Sequence, residues 1–120
     1  MAITPVVDGR AVLLNTVTER DWRQQVLTWA EREGWLRYFT FDSRHSIAGF
    51  PDVVLCRPPR LLFCELKTQR GRVTLAQTAW IQALRAVPGI EVHVWRPGDE
   101  VAVKHTLSAA PNPHLQGATP

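Results

Sequence analysis

Two apolar runs, Val53-Val54-Leu55-Cys56 and Leu61-Leu62-Phe63-Cys64, flank a turn-like Arg57-Pro58-Pro59-Arg60. Each run is bordered by charge that a buried strand does not ordinarily carry: Asp52 after Gly49-Phe50-Pro51, and Glu65-Leu66-Lys67. If the runs pair as a hairpin centred between Pro58 and Pro59, Asp52 stands opposite Glu65. Lys67, two residues further along, then shares their face. An odd shift in register would turn one strand over. Opposed carboxylates repel unless something neutralises them. A hard divalent cation suits the task, because it prefers oxygen ligands and leaves the neighbouring ammonium free to act on water or a phosphate oxygen.

The rest of the chain supplies a frame for that hairpin. Its 120 residues, 45% hydrophobic and 21% charged, fit one compact domain. The net charge of +3, carried largely by arginine, suits phosphate without demanding it. No charged-then-apolar leader opens the chain, and no apolar run approaches the ~20 residues that span a bilayer, so a soluble cytoplasmic protein with no membrane partner is expected. Cys56 and Cys64 fall on opposite faces of the expected hairpin and read as small buried hydrophobes.

Residues 1–17 read as an arm or a short hairpin turning at Asp8-Gly9. Thr18 caps a helix opened by Glu19 and Asp21, with Trp22, Val26, Trp29 and Ala30 at helical spacing and Gly34 as its stop. A first strand follows in residues 35–41 and a polar loop over Asp42-Ser43-Arg44-His45-Ser46. After the hairpin and a second loop bearing Arg70 and Arg72, Thr74 caps a helix running to about Val87, whose apolar stripe is Ala76, Trp80, Ala83, Leu84 and Val87. Residues 89–95 read as the last strand. Val101 to Leu107 reads as a short edge element in an extension over residues 99–120, with a disordered tail from about residue 109. The fold class is therefore α/β, a mixed sheet of about four strands flanked by helices.

Asp52 with Glu65-Leu66-Lys67 resembles the PD-(D/E)xK nuclease motif. The closer resemblance is to its VRR-NUC subgroup, including stand-alone phage-type nucleases. It rests on Glu19, Gly34-Trp35, Gly49-Phe50-Pro51-Asp52, Glu65-Leu66-Lys67-Thr68, Gly71-Arg72, Gln77 with Trp80, and residues 92–97, and covers residues 18–98. Taken alone, Asp52 is an ordinary turn residue and Glu65 with Lys67 an ordinary surface pair; the flanking elements in the right order give them weight.

The resemblance implies a restriction-endonuclease-like core, ordered helix, three strands, helix, strand. It implies Mg²⁺- or Mn²⁺-dependent hydrolysis of DNA phosphodiesters in a bacterial or phage-infected cell. Carried over residue by residue, Asp52, Glu65, Lys67 and Gln77 are catalytic. Glu19, Asp52, Glu65 and the backbone carbonyl of Leu66 ligate the metal. Arg44, His45, Arg70 and Arg72 bracket the acidic cluster as DNA contacts. A homodimer acting on branched DNA is the expected form. The alternatives are a linear-duplex or nicking nuclease of restriction type, and a DNA-binding module without turnover.

Overall fold

In the computed structural model, which describes residues 9–40 and 45–110, the chain runs α1 (Gly9–Thr16), α2 (Glu19–Arg32), β1 (Leu36–Phe39), β2 (Val53–Arg57), β3 (Arg60–Leu66), α3 (Leu75–Arg85), β4 (Glu91–Trp95), a 3-10 turn (Pro97–Asp99) and α4 (Glu100–Ser108). The strands form one mixed sheet in the order β1-β2-β3-β4. β1, β2 and β3 are antiparallel neighbours, and β4 lies parallel to β3, with α3 as the crossover that a parallel pair requires.

The central hairpin has the expected register. Val53 pairs with Cys64, Leu55 with Leu62 and Arg57 with Arg60, leaving Pro58 and Pro59, joined by a cis peptide bond, as the turn. Alternation along these strands sorts the sheet into two faces. Val53, Leu55, Leu62, Cys64, Leu66 and Trp95 face the main core, where Trp22, Val26, Leu27 and Ala30 of α2 meet Val103 and Leu107 of α4. Two buried indoles close that core by donating to backbone carbonyls, Trp22 Nε1 to Trp95 at 2.9 Å and Trp35 Nε1 to Leu107 at 2.9 Å. Phe63 and Glu65 belong to the opposite face, under α3, where Phe50 packs edge-on against both Phe63 and Trp80. Both cysteines are free, Cys64 buried and Cys56 half-buried. No helix among the described residues is long and apolar enough to cross a membrane.

Both main helix starts follow the sequence. The Thr18 side chain accepts from the Asp21 N–H, and Thr74 forms a reciprocal capping box with Gln77. Gly34 ends α2 with φ +82, a conformation that favours glycine.

Four expectations are corrected. Residues 9–16 form a helix, not the second strand of a hairpin. None of its residues is buried and Leu14 alone is half-buried; residues 1–8 lie outside the described residues. Val101 to Leu107 is helical because Val103 and Leu107, four apart, both enter the core against α2, so the packed unit runs past residue 98. The buried stripe of α3 is rotated from the expected one: Ile81 is buried and Gln77, Trp80 and Leu84 half-buried, while Ala76, Ala83 and Val87 face solvent. β1 stops at Phe39; Phe41 and the expected tail beyond residue 110 lie outside the described residues.

Candidate active site

One residue beyond the last ladder pair of β2, Asp52 comes opposite Glu65, and its Oδ2 accepts the Leu66 backbone N–H at 3.1 Å. Glu65 is only 1% exposed. Its Oε1 accepts from Gln77 Nε2 at 2.9 Å, while Oε2 is buried and has no hydrogen-bond partner. Burial pushes the Glu65 carboxyl up to about 8, with the neighbouring Asp52 charge as the next contribution; Glu19 adds to the rise and Lys67 opposes it. A carboxyl kept neutral by desolvation and a like charge, with one oxygen unserved, marks a site short of positive charge.

Three local devices hold this arrangement. Gln77 is pinned at both ends of its amide. Its Oε1 accepts the Thr74 N–H at 2.8 Å, which fixes the amide orientation and turns Nε2 towards Glu65. The capping box that starts α3 thus also aims the carboxylate. Gly49, at φ +92, lets the loop before Asp52 lie directly on the first turn of α3; a Cβ there would fall 2.4 Å from the Ala76 backbone. Finally, Arg96 Nη1 donates to the carbonyls of Thr68 and Gly71, each at 2.7 Å, and Gly98 N–H donates to Gln69 Oε1 at 2.8 Å. These bonds hold the turn that directly follows Lys67.

Asp52, Glu65, Lys67 and Gln77 therefore converge. Glu19, the first residue of α2, contributes to the field on Glu65. Among the described residues, no three His, Cys, Asp or Glu side chains gather as a metal cluster, so the carboxylates that converge here are the pair Asp52 and Glu65. Arg70 and Arg72 are exposed on the β3–α3 loop, and His45 is exposed ahead of Gly49. Arg44 lies outside the described residues. His93 is on the core face, stacked on Trp95 at 4.9 Å. Sequence reasoning missed Arg96 and Gly49 as positioning residues, because both act through contacts distant in the chain. The only sequence signal for either was its place in the blocks that resemble VRR-NUC proteins.

The donor set fits a hard divalent cation. Its groups are carboxylates without thiolate or imidazole, and the buried, unpartnered Glu65 Oε2 is the kind of atom such an ion would satisfy. Compared with known families, residues 9–97 match the VRR-NUC domain, a stretch that includes Glu19, Asp52, Glu65, Lys67 and Gln77. No curated protein and no solved structure matches the chain.

Proposed function

The chain belongs to the VRR-NUC family of nucleases, and from that premise we propose a divalent-metal-dependent DNA endonuclease that selects branched DNA. The observation that carries the metal-dependent part is Glu65, buried against Asp52 with an oxygen that no donor among the described residues reaches. Asp52, Glu65 and the Leu66 carbonyl would hold Mg²⁺ or Mn²⁺, with Glu19 reaching it directly or through water. Bound there, the ion would neutralise charge on the phosphoryl oxygens and make a water more acidic.

The protein's own groups carry the other tasks. Hydrolysis joins a water oxygen to phosphorus and breaks one P–O ester bond; the water loses a proton to solvent and the departing oxygen takes one up. Lys67, on the Glu65 face of the strand, positions that water and stabilises charge as it grows on the phosphoryl group. Gln77 keeps Glu65 from rotating away. Arg70 and Arg72, with Arg44 and His45, contact flanking phosphates and set the strand's path. A two-fold pair of protomers would place two such sites on one junction, in the cytoplasm of a bacterial or phage-infected cell.

Labelled four-way junction, flap, splayed-arm and linear duplex DNA, each with Mg²⁺, Mn²⁺ or EDTA, test the proposal. Cutting of branched substrates only with metal is expected. Equal cutting of linear duplex would favour the restriction-type alternative, and binding without cutting would favour a non-catalytic module. Light scattering at micromolar concentration should report a dimer; a monomeric mass removes the two-site picture.

A further inference from the structure

Beside the carboxylates lies a cavity of about 370 Å³ with the wrong lining for phosphate. Asp52 and Gln77 form the wall it shares with the active site, and Tyr38, Ile47, Phe50 and Trp80 form much of the rest. Among the described residues, Asp52 is the one charged member of its lining, and no arginine or lysine takes part. Its size is at the small end of the roughly 300–1,000 Å³ typical of small-ligand sites. Phe50 and Trp80 are already set, with their rings edge-to-face at 5.0 Å. Tyr38 is different. It stands on the edge strand β1, on the sheet face that α3 covers further in, and it is 65% exposed with no aromatic partner among the described residues.

We propose that this cavity receives one unpaired nucleobase of the DNA, stacked on Tyr38, from the nucleotide adjoining the phosphate that is cut. The inference rests on the nuclease reading above and gives the preference for branched DNA a physical basis. A neutral, flat, apolar-faced group matches walls that, Asp52 apart, are aromatic and uncharged among the described residues, and the Thr40 position offers polar atoms for its edge. The shared wall makes whatever fills the cavity a direct neighbour of the reacting phosphate. A base inside an intact duplex cannot enter without being unstacked and unpaired, whereas one at a branch or flap enters at the least cost. The cavity thus favours DNA whose nucleotide beside the cut is already unpaired.

The test compares splayed-arm DNA carrying either a normal base or an abasic site at the unpaired nucleotide abutting the branch. Affinity is measured with Ca²⁺ and cleavage with Mg²⁺. The normal base should improve both affinity and kcat/KM roughly tenfold over the abasic site, the scale of one base–aromatic stack. Tyr38→Ala should erase that difference and Tyr38→Phe should keep it. Equal handling of both DNAs by the unaltered protein, or equal losses on both in Tyr38→Ala, would overturn the inference while leaving the nuclease reading intact. Failure to bind or cut any DNA overturns both. A change of molar mass in Tyr38→Ala by light scattering would assign the ring to a subunit contact instead.

Discussion

β3 carries a buried ionisable group near each end, and the two are treated in opposite ways. At the turn end, Arg60 is 9% exposed and fully served. Its Nε and Nη2 each reach a Glu91 oxygen at 2.7 Å, its Nη1 donates to the carbonyls of Thr106 and Ala109, and its guanidinium lies 5.0 Å from the Trp35 ring centre. Arg57 lies over the same Trp35 ring at 4.6 Å and donates to the carbonyls of Glu33, Leu107 and Ala109. This clamp ties the end of α4 to the sheet. At the opposite end Glu65 is buried beside another acid with one oxygen unserved. A buried charge with every partner supplied is architecture. A buried acid held neutral for want of a positive partner is a candidate place for one that arrives later.

The sharpest way to break the contrast is to neutralise one charge at each end. Glu65→Gln and Asp52→Asn should each lower cleavage by on the order of 10³-fold or more, measured as single-turnover rates in Mg²⁺. The metal-free proteins should stay folded by circular dichroism and melt no lower than the parent at pH 8, because each change removes a like-charge repulsion. Retained cleavage in either would place the site elsewhere. Arg60→Ala should do the reverse. Stripping half-buried Glu91 of both its guanidinium hydrogen bonds, and the Thr106 and Ala109 carbonyls of theirs, costs about 3–5 kcal/mol of stability, read from urea unfolding. Cleavage per folded molecule should hold within about twofold at a temperature where the variant is native.

The ends should also respond oppositely to pH. Glu65 is raised from 4.5 to about 8, so its contribution is fully present below about 4.5 and is lost as pH rises towards 8. For Glu91, burial pushes upward, but the hydrogen bonds and charge of Arg60 outweigh it and hold the carboxyl below its usual value. Its contribution is present above 4.5 and lost as pH falls through its lowered native value. Without metal, the melting temperature should therefore drop by roughly 5–10 °C between pH 5 and 8, and Glu65→Gln should flatten that limb alone. Mg²⁺ should reverse the drop at pH 8, since an ion that ligates ionised Glu65 displaces its proton. Calorimetry with and without Mg²⁺ reads all three.

Much of the active end could be read from the chain because its determinants are local. The Pro58-Pro59 turn fixes the register that puts Asp52 opposite Glu65, and Thr18 and Thr74 announce their helices by cap chemistry. The clamp end was not readable in this way. Arg57 and Arg60 read as turn residues, and Val101 to Leu107 as a short edge element. What decides α4 is that Val103 and Leu107 land on α2 and that two arginines and an indole serve its last carbonyls. Those partners are far apart in sequence. Gly49 against Ala76 and Arg96 around the Thr68 turn escaped for the same reason.

The smallest expected effects separate two jobs held by neighbouring residues at the start of α3. Thr74 serves only the cap, accepting the Gln77 N–H at 3.1 Å, whereas Gln77 serves both the cap and Glu65. Thr74→Ala should cost about 1 kcal/mol of stability and change cleavage less than threefold, because the side chain of Gln77 keeps its bond to Glu65. Gln77→Ala should cost a similar amount of stability yet lower cleavage roughly 10–100-fold, the usual toll for losing a residue that orients a metal ligand. If Gln77 positions Glu65, the loss should appear mainly as a higher Mg²⁺ requirement, with cleavage partly recovering at high metal. If the two variants instead cleave alike, Gln77 belongs with the architecture of the clamp end.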